Sequence, residues 1–200
     1  MALLNMVDSL TVPLQLKSMG HPEQEVTFLY GIYGRGLALV QIAVVFASAL
    51  ILPLIPLITA ALAKGEKERT KQVIEKANKF THLTSWPAAI GLFALTLPIN
   101  LALFTDFEGS GVLAILVLSS IFTAFSVLTT GILQGINKAT GAAVIVVICS
   151  LVKVVLNLVL VGQFGLIGAS ISTVVTYILL TILNLWFIYK TIPFKVFQRE

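Results

Sequence analysis

The sequence predicts an all-α membrane protein, a polytopic bundle of about six transmembrane helices of which the first is partial. Three observations carry this expectation. Of 200 residues, 58% are hydrophobic and only 11% charged, whereas a soluble domain carries about 25% charged residues to solvate its surface. The charge is also unevenly spread, with long apolar runs alternating with short charged clusters, and mean hydropathy reaches +1.00. Period-2 alternation is absent along the runs, which argues against a β-barrel.

Crossing ~30 Å of hydrocarbon takes about 20 apolar residues in a helix. Residues 1–16 are apolar but too short to span comfortably, and they begin abruptly. They read as part of a transmembrane helix, and the chain as a piece of a longer, transporter-sized polypeptide. Residues 37–63, 80–104 and 111–136 hold no Asp, Glu, Lys or Arg; 139–161 holds only Lys153, and 164–189 holds none. Each is long enough to span with some tilt. Residues 1–193 are thus expected to form one bundle, followed by a tail at 194–200.

Basic residues set the expected orientation, because Lys and Arg accumulate on the cytoplasmic side. Residues 64–79 hold Lys64, Lys67, Arg69, Lys71, Lys76 and Lys79, and Lys138, Lys190, Lys195 and Arg199 fall on the same side by alternation. That is ten of the thirteen basic residues, so both chain ends are expected in the cytoplasm. The net charge of +4 is explained by topology rather than by a nucleic-acid partner. Within 64–79, Glu68 with Gln72 and Glu75 with Lys79 have i,i+4 spacing, while Val73, Ala77 and Phe80 share a face. This pattern predicts an amphipathic linker helix along the inner membrane surface that continues into the next span. A charged loop of this kind is most often simply a solvated topology determinant.

Charge inside the bilayer costs roughly 2.5–3.5 kcal/mol per residue on insertion scales. Lys153 lies about 21 Å from the cytoplasmic end of its span at 1.5 Å per residue, too far to snorkel. Asn157 follows at i+4, so the two define a polar face. That face turns towards a cavity, or else Lys153 pairs with a neighbouring helix purely for packing. Asp8, with Asn5, Ser9 and Gln15, makes a polar stripe on the first helix, and an Asp8–Lys153 pair would neutralise both charges. Arg35 stands at the outer end of the 37–63 span, as interface decoration or as a cavity-lining cation.

Other signals are weaker. Gly131 and Gly135 form a GxxxG, which permits close helix approach. Pro53, Pro56, Pro87 and Pro98 are expected to kink their spans. Gly31, Gly34 and Gly36 surround Tyr30 and Tyr33 without a preceding strand, so a phosphate-cradling loop is unsupported. Trp86, Trp186 and Tyr189 fall near span ends, as interface anchors do. The lone Cys149 lies in an apolar run, and His21 and His82 lack ligand spacing, so neither a disulfide nor a metal site is expected. No catalytic constellation and no Walker A motif occur, which points to facilitated or ion-coupled movement and away from an enzyme, with no cofactor.

Several stretches together resemble a known family. They are Asp8-Ser9-Leu10-Thr11-Val12-Pro13, Tyr30-Gly31-Ile32-Tyr33-Gly34-Arg35, Leu52-Pro53-Leu54-Ile55-Pro56, Leu133-Gln134-Gly135, and Lys153 to Asn157 leading to Gly165-Leu166-Ile167-Gly168-Ala169. Their order resembles the multidrug/oligosaccharidyl-lipid/polysaccharide flippase superfamily, in particular its stage V sporulation protein B and polysaccharide-biosynthesis branch, akin to MurJ-type lipid II flippases. The resemblance implies two six-helix lobes around a central cavity, with this chain matching the second lobe and the first lobe as its missing partner. It also implies a flippase for undecaprenyl-pyrophosphate-linked saccharides at the cell membrane. Arg35 matches the family's cavity arginine; Arg35 and Lys153 suit the pyrophosphate, with Asn157, Asp8 and Asn5 completing the candidate cavity. A cation-coupled multidrug exporter using Asp8, and a non-transporting membrane scaffold, are the alternatives.

Overall fold

The computed structural model describes residues 2–105 and 108–191. The 194–200 tail and Asp106 of the acidic turn lie outside the described residues. Among the described residues, seven helices occupy the six predicted stretches: α1 Ala2–Ser18, α2 Glu23–Ala63, α3 Lys67–Ala94, α4 Thr96–Phe104, α5 Ser110–Gly135, α6 Ala139–Phe164 and α7 Leu166–Thr191. By length and composition four of them can cross a membrane, or five when α3 and α4 count as one broken span. Helix α1, with 17 residues, is not among them.

Three sequence expectations are corrected. Helix α2 starts at Glu23 rather than at residue 37, because Pro22 supplies an extended N-cap and Glu23 and Glu25 complement the first-turn dipole. The charged linker is helical and continues into the next span, as its pattern predicts, but it is not a separate surface helix. It is the first turns of α3, whose buried stripe runs through Thr70, Ile74, Ala77, Thr81, Ser85 and Ala89 and leaves Phe80 exposed. The four prolines do not act alike: α3 and α4 are bent against each other by 67° beside Pro98, whereas the other three interrupt no helix. Pro98 has no N–H to offer the carbonyl of Ala94 and its ring crowds that oxygen, so the helix ends there and restarts. Pro53, Pro56 and Pro87 remain inside helices, since a packed membrane helix finds other partners for a freed carbonyl.

Helices α2 and α5 run side by side in the same direction. A Cβ added to Gly131 would lie 2.8 Å from Ile51 Cγ2, and one added to Gly135 would lie 3.0 Å from Ile58 Cβ. The GxxxG pair therefore lets α5 settle onto α2, and Thr59 Oγ1 donates to the Gly135 carbonyl at 3.0 Å. Between α5 and α7 runs a ladder of hydroxyls and amides that the sequence reading passed over. Ser126 and Thr181 pair at 2.8 Å, and Asn184 Nδ2 donates to Thr129 at 3.1 Å and Thr130 at 3.0 Å. Such bonds hold helices together where the hydrophobic effect cannot, because lipid is as apolar as leucine.

A buried ion pair clasps four helices

Asp8 is fully buried on α1, on a stripe with Leu4, Val12 and Leu16. Its Oδ2 accepts from Lys153 Nζ of α6 at 2.6 Å and from the Tyr33 hydroxyl of α2 at 2.8 Å. Its Oδ1 accepts from Asn157 Nδ2 at 2.9 Å, and Asn157 also donates to Thr11 Oγ1 at 2.7 Å. Thr173 of α7 lies 2.7 Å from the Tyr33 hydroxyl. A phenol has one proton, and the carboxylate takes it, so Thr173 donates to Tyr33. The Lys153 ammonium also sits 5.8 Å from the centre of the Tyr177 ring, within cation–π range. Three helices thus meet at one carboxylate, and α7 joins them through Tyr33 and Lys153.

Lys153, Asn157 and Asp8 each have 0% exposure. The expectation that Lys153 and Asn157 line an open cavity is therefore corrected: their polar face turns inward and is consumed by Asp8. The physical reason is the cost of an unpaired charge in lipid, which a carboxylate and an ammonium at contact distance remove from each other. The predicted α1 stripe also divides. Asn5 is half-buried on the flank of the helix, and Ser9 is exposed and donates to its own Met6 carbonyl at 2.9 Å.

Tyr33, Thr11 and Thr173 are members that sequence reading missed. A signal existed for Tyr33: carrying α2 back to Pro22 places Tyr33 inside a helix, where a buried phenol needs a partner. Arg35 is two residues on, and lies inside α2 rather than just ahead of the span. It is partly exposed, with its guanidinium carbon 4.7 Å from the centre of the Phe104 ring. It lies in the half of α2 away from the lysine-rich stretch.

The fold is thus an all-helical bundle whose long apolar helices can cross a membrane. The fold superposes with a TM-score of 0.69 on a solved structure described as the inward-facing conformation of a multidrug resistance MATE family transporter of the MOP superfamily, at 18% identity over 92% of this chain and 41% of the other. That likeness establishes the fold. Residues 25–199 match the family described as Lipid II flippase MurJ, and the chain belongs to that family. It is 33% identical to the uncharacterized membrane protein YabM of Bacillus subtilis, over 92% of this chain and 34% of that protein. It is 32% identical to the lipid II flippase MurJ of the same organism, over 88% of this chain and 33% of that protein. A probable low-salt glycan biosynthesis flippase, Agl15 of Haloferax volcanii, is 25% identical over 82% of the chain. The chain spans about a third of the length of these relatives.

Proposed function

We propose that the chain forms one lobe of a flippase that moves a lipid-linked saccharide or cell-wall precursor across the cytoplasmic membrane, acting by transport and not by catalysis. The observation that carries this reading is the match to the lipid II flippase family over residues 25–199. In this reading a companion lobe faces this one across a cavity and the two alternate access. The substrate is a polyprenyl lipid carrying an anionic pyrophosphate. Arg35 is the residue assigned to meet it, since its planar fork suits phosphate oxygens, with half-buried Asn5 as a second candidate. Lys153 is set aside because Asp8 already neutralises it at 2.6 Å. The same contact weighs against Asp8 as the cation site of a drug exporter.

In a full-length protein containing this lobe, Arg35→Ala is expected to weaken binding of a pyrophosphate-linked polyprenyl lipid by about 1–3 kcal/mol, the range for hydrogen bonds to charged groups. Equilibrium titration with that lipid measures it. Unchanged affinity, together with competition by lipophilic cations, would transfer the site to the exporter reading.

Orientation follows from the basic residues, with both chain ends in the cytoplasm. Single cysteines placed near Asp106 and Gln163 are expected to react with an impermeant maleimide added to intact cells, and those at Lys71 and Lys138 only after permeabilisation. The reverse pattern would invert the bundle.

A further inference from the structure

Helix α6 is the least buried of the candidate spans, and its outer face with α7 forms a groove of about 330 Å³, within the ~300–1,000 Å³ of small-molecule sites. The walls are Val144, Ile145 and Ile148 of α6 and Leu183, Trp186 and Phe187 of α7. The groove exists because Gly141 has no side chain: a Cβ there would collide with the Phe187 ring, which lies against the bare backbone. At the groove's end stands Lys190, its ammonium 5.3 Å from the centre of the Trp186 ring. Exposed Lys138, the N-cap of α6, is two residues ahead of groove-lining Thr140.

Interfaces between membrane helices are built from small and polar residues that let backbones approach, as α2–α5 and α5–α7 are here. Beyond Thr140 and Gly141 at one end, this face offers bulky aliphatic and aromatic walls, with two cations at that same end. Apolar walls match an acyl chain, and a Trp–Lys end matches the level of the headgroups. We infer that this groove is a binding site for an anionic glycerophospholipid, its acyl chain lying along Val144 and Ile148 and its phosphate held by Lys190 and Lys138.

The test is native mass spectrometry of the full chain in detergent, titrated with dioleoylphosphatidylglycerol or dioleoylphosphatidylcholine. The expected result is severalfold tighter binding of the glycerol lipid. Lys190→Gln should reduce that preference about fivefold, the ~1 kcal/mol that one basic residue contributes at an anionic surface. Val144→Trp, which fills the groove from an exposed position, should cut binding about tenfold, while Val155→Trp on the same helix but outside the groove should not. Equal binding of the two lipids, or equal loss from both tryptophan variants, overturns the site. So does binding of undecaprenyl phosphate with none of phosphatidylglycerol.

Discussion

Lys153→Met is expected to destabilise the folded bundle by about 3–5 kcal/mol, the cost of removing one partner from a buried pair. Two effects compete in this variant. Losing the ammonium spares roughly 2.5–3.5 kcal/mol at insertion, but that gain falls on the step that puts α6 into lipid, before the helices associate. The loss falls on the folded bundle, where Asp8 keeps only the Tyr33 and Asn157 donors for a full negative charge. The folding term decides abundance. Adding Asp8→Asn removes the stranded charge, and the Asn157 carbonyl oxygen, buried without a partner among the described residues, offers the new amide an acceptor. The double variant should therefore return to within about 1 kcal/mol of the parent, since replacing both members of a pair is nearly neutral. Thermal unfolding of the purified chain in detergent, run as a double-mutant cycle, measures both numbers. A Lys153→Met protein as stable as the parent would show that the clasp contributes nothing. Transport recovered by the double variant within a full-length protein would remove any direct role for Lys153 in binding substrate.

Gly168→Ala is the second large effect, expected at about 2 kcal/mol or more. The α6–α7 turn passes through Gly165, which has φ +58° and ψ −137°, a conformation that side chains resist. It brings the start of α7 against the end of α6 so closely that a Cβ on Gly168 would strike the Leu160 carbonyl oxygen. Backbone cannot swing aside, so the two helices must separate, and overpacking of this kind costs typically 1–3 kcal/mol. Alanine returns at most about 1 kcal/mol of helix propensity. At Gly131 the obstructing atom is the Ile51 Cγ2 methyl at 2.8 Å, a side-chain atom that a shift of a few tenths of an ångström relieves, though Ile is too stiff at χ1 to swing away. Gly131→Ala should accordingly destabilise by about 1 kcal/mol, less than Gly168→Ala, in the same unfolding assay. Equal effects at the two glycines would refute the backbone contact.

Helix class and the membrane environment were legible in the sequence because they depend on long runs of one chemical type. A twenty-residue apolar stretch has one stable state in lipid whatever its neighbours are. The i,i+4 spacing of Lys153 and Asn157 was equally readable, since helix geometry alone places them on one face. Tertiary structure decided which way that face turns. Cavity-lining and pair-forming lysines share the same local sequence, and only the packing of α1 beside α6 distinguishes them. It also decided which proline breaks a helix: Pro98 does, whereas Pro53, Pro56 and Pro87 stay within their helices, because the partners available to a freed carbonyl come from other helices. Tyr33 joins Asp8 across 25 residues and Thr173 joins Tyr33 across 140, distances over which no periodicity operates. By itself the sequence determined a bundle of membrane helices carrying a charge that had to be neutralised, and only the fold decided that Asp8 neutralises it, because a buried charge constrains the chemistry of its partner but not that partner's place in the chain.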